Sequence, residues 1–156
     1  MTNVELFVEA LHKAASDSAT LQDIDEPDVD PLERLRSIID CLEKYRVDIE
    51  KALMYGGGTH NFDYVCRRVL SGELDLYELR NSVLLCEFLH FPMYNVYNVY
   101  IAAGSLKEIV SFDSRLRREA AMRECSKVSF SGRFGWKKPL EKVGWKPAYI
   151  TMTKEV

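Results

Sequence analysis

Apolar residues return every three to four positions at Val4, Phe7, Leu11 and Ala14, which predicts a short amphipathic helix over residues 3–15. The next stretch, SDSATLQDIDEPDVD, is acidic, interrupted by Pro27 and poor in large apolar groups. It reads as a linker that a partner would order. Asp30 then stands as an N-cap, Pro31 fits the first helical position and Glu33 completes a capping box. Leu32, Leu35, Ile38, Ile39, Leu42, Tyr45, Ile49 and Leu53 form one long helical stripe that stops at Gly56-Gly57-Gly58. Thr59 is placed to cap a second helix with Phe62, Val65, Cys66, Val69 and Leu70 inside, ended by Gly72.

Beyond Gly72 the texture changes. The run from Glu73 to Gly104 is dense in β-formers and carries two turn signals, Arg80-Asn81-Ser82 and Pro92-Met93-Tyr94-Asn95. It predicts three strands, near 74–79, 83–91 and 96–102, in an antiparallel meander. Gly104 stops the third strand. Ser105 and Glu108 form a capping box that opens a helix with Leu106, Ile109, Val110, Leu116 and Ala120 inside. Alternation in KVSFSG gives a fourth strand, FGWKKPLEKV a short helix with Pro139 near its first turn, and PAYITMTKE a last strand. The predicted class is α+β: a mixed, mostly antiparallel sheet with flanking helices over residues 31–156, preceded by a helical arm over residues 1–30.

Composition narrows the function classes. A chain of 156 residues supports one core, and 47% hydrophobic with 29% charged residues is ordinary for a soluble domain. No apolar run is long enough to cross a bilayer, and MTNVELFVEALHK lacks the basic start and apolar block of a secretory signal. The expected location is therefore the cytosol, or a particle assembled from it. Cys41, Cys66, Cys86 and Cys125 are scattered among mostly apolar neighbours, with no C-x-x-C pair and no clustering with His12, His60 or His90. They read as buried reduced thiols, with no metal site and no catalytic cysteine or histidine indicated.

Charge is divided unevenly. Residues 1–50 hold 13 Asp/Glu against 5 Lys/Arg, whereas residues 113–156 hold 11 Lys/Arg against 5 Asp/Glu. Such polarity suits an anionic partner, or complementary ends that pack within or between chains. Nucleic acid is not the expected partner, because the basic residues are spread out and the net charge is −3. Val4, Phe7 and Leu11 are candidate interaction residues, since an isolated amphipathic helix needs a surface to cover.

Both tryptophans fall in the closing unit, Gly132-Arg133-Phe134-Gly135-Trp136 and Gly144-Trp145. Trp136 is placed to plug the short helix against the sheet and Trp145 to cap the return strand. Gly132 and Gly135 would permit the turn, and Arg133 would salt-bridge to the acidic arm, hold a helix C-terminus or contact a phosphate.

This element order resembles the Gcn5-related N-acetyltransferase fold over residues 31–156. More narrowly, Ala102-Ala103-Gly104-Ser105-Leu106-Lys107-Glu108-Ile109, Cys125-Ser126-Lys127-Val128 and the Gly132–Trp136 block resemble acetyltransferase-like proteins of tailed bacteriophages, encoded among virion-assembly genes. In some short-tailed phages a relative is called an internal virion protein. The resemblance implies a homo-oligomer that docks onto other phage structural proteins, in the virion or in the infected cell's cytoplasm.

It also implies where coenzyme A would bind: at Ala103, Gly104, Ser105 and Leu106, the start of the central helix, where free amides meet the pyrophosphate. The family's loop is Q/R-x-x-G-x-G/A. Here Asn98 to Ser105 has one glycine and lacks the residue at its head. The helix after the fourth strand, Gly135 to Val143, also lacks the tyrosine that protonates the departing thiolate. Tyr149, on the last strand, reads as a packing residue, and Glu87 as a solvated carboxylate in the place of a general base. These departures predict a degenerate domain without coenzyme A. The alternative is an active acetyl-CoA-dependent N-acetyltransferase acting on a host or small-molecule amine.

Overall fold

The computed structural model describes residues 29–156, so the helix expected over 3–15, with Val4, Phe7 and Leu11, lies outside the described residues. Pro31–Val156 form one compact unit. Its first helix, α1 (Pro31–Lys44), starts at the predicted proline. The apolar stripe does not continue as one straight helix. Tyr45 leaves the helical region at φ −101°, ψ 9°, and α2 (Arg46–Tyr55) follows. Hydrogen bonding carries across the kink, from the Tyr45 amide to Cys41 O at 3.1 Å and from the Ile49 amide to Tyr45 O at 2.8 Å. Periodicity therefore passes through the break undisturbed. Leu32, expected inside, is exposed.

Helix α3 (Phe62–Leu70) is capped by Asn61, not Thr59, with the Asn61 Oδ1 accepting from the Tyr64 amide at 2.9 Å. Three residues, Thr59, His60 and Asn61, separate the glycine run from the helix, and the last of them takes the cap.

Strands β1 (Leu74–Glu78), β2 (Ser82–His90) and β3 (Asn95–Gly104) form the predicted meander. The predicted long helix is divided at Phe112 into α4 (Leu106–Ser111) and α5 (Asp113–Met122). Leu106, expected inside, points outward. Glu124 ends α5 in the left-handed region, φ 55°, with the Cys125 amide reaching Ala120 O at 2.9 Å. Strand β4 (Lys127–Phe130) then returns parallel to β3, giving the order β1-β2-β3-β4. A 3₁₀ turn over Phe134–Trp136 leads into α6 (Lys137–Glu141). The last expected strand does not form: residues 147–156 have no regular structure, and Tyr149, expected to pack, is exposed.

The sheet is covered on both faces, which is why Ser82 to Cys86 are buried without alternation. On one face Leu42, Tyr45, Ile49, Phe62, Val65 and Val69 of the first three helices meet Leu74, Val83, Leu85 and Ile101. On the other, Ile109, Phe112, Leu116 and Ala120 meet Leu84, Cys86, Tyr97 and Val99. Burial of this apolar surface is the main force holding the layers together.

Candidate functional site

Strand β3 carries one extra residue against β2. Leu85 pairs with Ile101 and Cys86 with Val99, so Tyr100 between them is bulged. Strand β4 pairs with β3 only from Val96–Lys127 to Val99–Phe130, on one side of the bulge. Past that point the two parallel strands have no further pairing. A cleft lies there between the sheet and α4–α5, lined by Leu84, Val99, Ala102, Ile109 and Leu116.

The closing unit fills it. Trp136 packs edge-on against Phe130, with ring centroids 5.1 Å apart. Leu140 and Trp145 line the same space with Leu84, Val99 and Ile109. The Trp145 indole donates to Asp113 Oδ1 at 2.7 Å, fixing the ring against α5. The remaining void is about 20 Å³, room for about one water where a small-molecule pocket needs about 300 Å³ or more. Thus both tryptophans pack into one cleft; Trp145 has no return strand to cap. Gly132 is needed because a Cβ there would sit 2.4 Å from the Phe130 ring, while one at Gly135 would meet nothing within 4 Å. The Arg133 guanidinium lies 3.9 Å over the ring of Tyr55, the last residue of α2, in a cation–π contact.

At the head of α4, three of the four residues expected to hold coenzyme A, Ala103, Gly104 and Ser105, make other contacts, and the Leu106 side chain is exposed. Ala103 is buried against the first helices. Gly104 has φ +112°, and a Cβ there would lie 2.3 Å from Asn81 O, so the glycine serves the approach of β3 to the β1–β2 turn. The Ser105 amide donates to Ser82 Oγ at 2.9 Å and to Asn81 O at 3.2 Å. Ser105 Oγ accepts from the Glu108 amide at 3.5 Å, half of the expected capping box. The Glu108 carboxylate does not reach back to Ser105. It accepts from the Asn81 amide at 3.0 and 3.1 Å and from Ser82 Oγ at 2.7 Å. The carboxylate of Glu108 is thus committed to the β1–β2 turn and adds negative charge near the start of α4.

Glu87 lies on β2, not on either of the parting strands. It is paired with Arg68 at 2.8 Å and accepts from Asn98 Nδ2 at 2.9 Å, so it is not the solvated carboxylate expected. Arg68 also lies over the rings of Tyr64 and Tyr100.

A second polar group escaped the sequence reading. Tyr97 donates to Asp75 Oδ2 at 2.6 Å and shares a 2.8 Å bond with Tyr77. Arg123 ties Asp75 at 3.0 Å to Glu119 at 2.7 Å. Burial, then the bond to Asp75, pushes the Tyr97 hydroxyl up, and burial pushes Tyr77 up to about 12. The hydrogen bond from Arg123 holds Glu119 below the usual carboxylate range. The network is internally satisfied, and it joins β1, β3 and α5 from positions up to 48 residues apart, beyond any local signal.

Of the four thiols expected to be buried, Cys41 and Cys86 are buried and Cys66 and Cys125 half-buried, and burial raises all four. No cluster suited to a metal ion occurs among the described residues. No helix among them is long and apolar enough to cross a membrane.

No family model matches the chain, and no curated protein sequence matches it. Solved structures do. A protein described as a "probable acetyltransferase" matches with a TM-score of 0.55 at 11% identity, over 76% of this chain and 93% of its own. A "possible acetyltransferase from Clostridium difficile 630" matches with a TM-score of 0.52 at 10% identity, over 79% of this chain and 93% of its own. The chain has an acetyltransferase-like fold.

Proposed function

We propose that this chain is a bacteriophage virion or assembly protein whose acetyltransferase-like domain has lost acetyl transfer and serves for docking onto other virion proteins. The observation that carries the loss of chemistry is the filled cleft, where Phe130, Trp136, Leu140 and Trp145 leave about 20 Å³. Glu108 at the head of α4 supports it independently. The phage assignment is supported by the sequence blocks at 102–109, 125–128 and 132–136, and fold alone would not carry it. The working location is the virion or the cytoplasm of the infected cell, and the partners are phage structural proteins and further copies of this chain. Titration calorimetry with acetyl-coenzyme A tests the reading. No saturable heat is expected. A micromolar dissociation constant, about −8 kcal/mol, would sink it and restore an acetyl-CoA-dependent acetyltransferase.

A further inference from the structure

Residues 147–156 leave the domain with a strand's sequence and no strand beside them. Tyr149, Ile150 and Met152 are 78%, 80% and 90% exposed. The root of the segment is fixed, because Trp145 is held in the cleft by its bond to Asp113. That cleft is lined by Phe130, the last residue of β4. Strand β4 in turn ends the sheet order, so its outer edge pairs with no strand among the described residues. An open edge of this kind is a template for another strand. The chain therefore carries a β-prone donor and an open acceptor, and the donor starts beside the acceptor.

We propose that residues 147–156 add to the free edge of β4 in a second copy, reciprocally, to make a two-fold strand-exchanged dimer. A ten-residue extended segment exposes roughly 1,600 Å². Burying about a third of it, twice over by symmetry and counting both sides, removes roughly 2,000 Å², within the range of stable interfaces. Charge gives the dimer a signature. Residues 127–156 hold seven Lys/Arg against two Glu, so two like-charged ends approach each other. Added salt screens that repulsion and strengthens the dimer, whereas it would weaken docking to an acidic partner. The inference deepens the docking role above by naming one partner. Its readout is self-association, separate from cofactor binding, so either can fail alone.

Sedimentation of the full chain is expected to give the mass of two chains, with association rising as salt is added. Deleting 147–156, or combining Ile150→Pro with Thr151→Pro, should halve the apparent mass, keep the circular dichroism of the folded domain, and remove the dependence of melting temperature on protein concentration. Hydrogen exchange at the amides of 127–130 should quicken in the same variants. A chain that is monomeric at every concentration overturns the proposal, as does a dimer that survives both variants or weakens with salt. Protected β4 amides in a monomer, lost on truncation, would put the segment on its own β4 and overturn it equally.

Discussion

Trp136→Ala removes a half-buried ring that meets Phe130 edge-on and helps close the cleft. A fully buried tryptophan is worth roughly 3–5 kcal/mol on truncation. Half burial brings the expected loss to about 2–3 kcal/mol, a large share of a small domain's stability. Urea unfolding followed by tryptophan fluorescence from Trp145 would measure it. Unchanged stability with lost binding to a virion partner would instead make Trp136 an exposed anchor. That both tryptophans pack was legible, because each sits next to a glycine in a short unit between apolar runs. That they fill one cleft was not, since the cleft exists only because Tyr100 bulges β3 and β4 stops pairing at Phe130. Glu108 was misread for a related reason. A capping box is a local pattern, and the stronger donors for its carboxylate, Asn81 and Ser82, come from 26 or more residues upstream.

Between elements the decisive contact is Gly104 against the β1–β2 turn. Gly104→Ala would place a Cβ 2.3 Å from Asn81 O and 2.7 Å from Ser82 Cα, at a φ of +112°. Both neighbours are backbone and yield little. Backbone strain and overpacking together should cost about 2–5 kcal/mol, read as a lower urea midpoint with the slope unchanged. A neutral outcome would mean that β3 does not approach the turn this closely. The meander, the stop at Gly104 and β4 were all legible because period-two runs bounded by turn residues are local signals. The kink at Tyr45 was not, because the helical hydrogen bonds and the apolar stripe both run through it. The last strand failed for the opposite reason. Residues 147–156 have the right alternation, but a strand also needs an edge to pair with, and alternation says nothing about whether the same chain supplies it.

For the whole molecule, the sharpest question is what residues 1–30 contribute. The described helices and sheet close both layers of the core from residues within 31–156, with Cys41 the first buried core residue and Trp145 the last packed side chain. Asp30-Pro31-Leu32-Glu33 opens the domain with its own start signal, and α1 begins at Pro31. Residues 1–30 hold eight Asp/Glu against one Lys, with Val4, Phe7 and Leu11 as a stripe too short for a stable free helix. Such a segment gains little from its own folding and much from a basic, grooved surface on another protein. A chain beginning at Asp30 should therefore keep the circular dichroism and cooperative melting of the full chain while failing to enter particles or to bind a virion partner. Loss of helix and strand signal would make residues 1–30 part of the core. Normal folding with normal incorporation would leave them without a docking role.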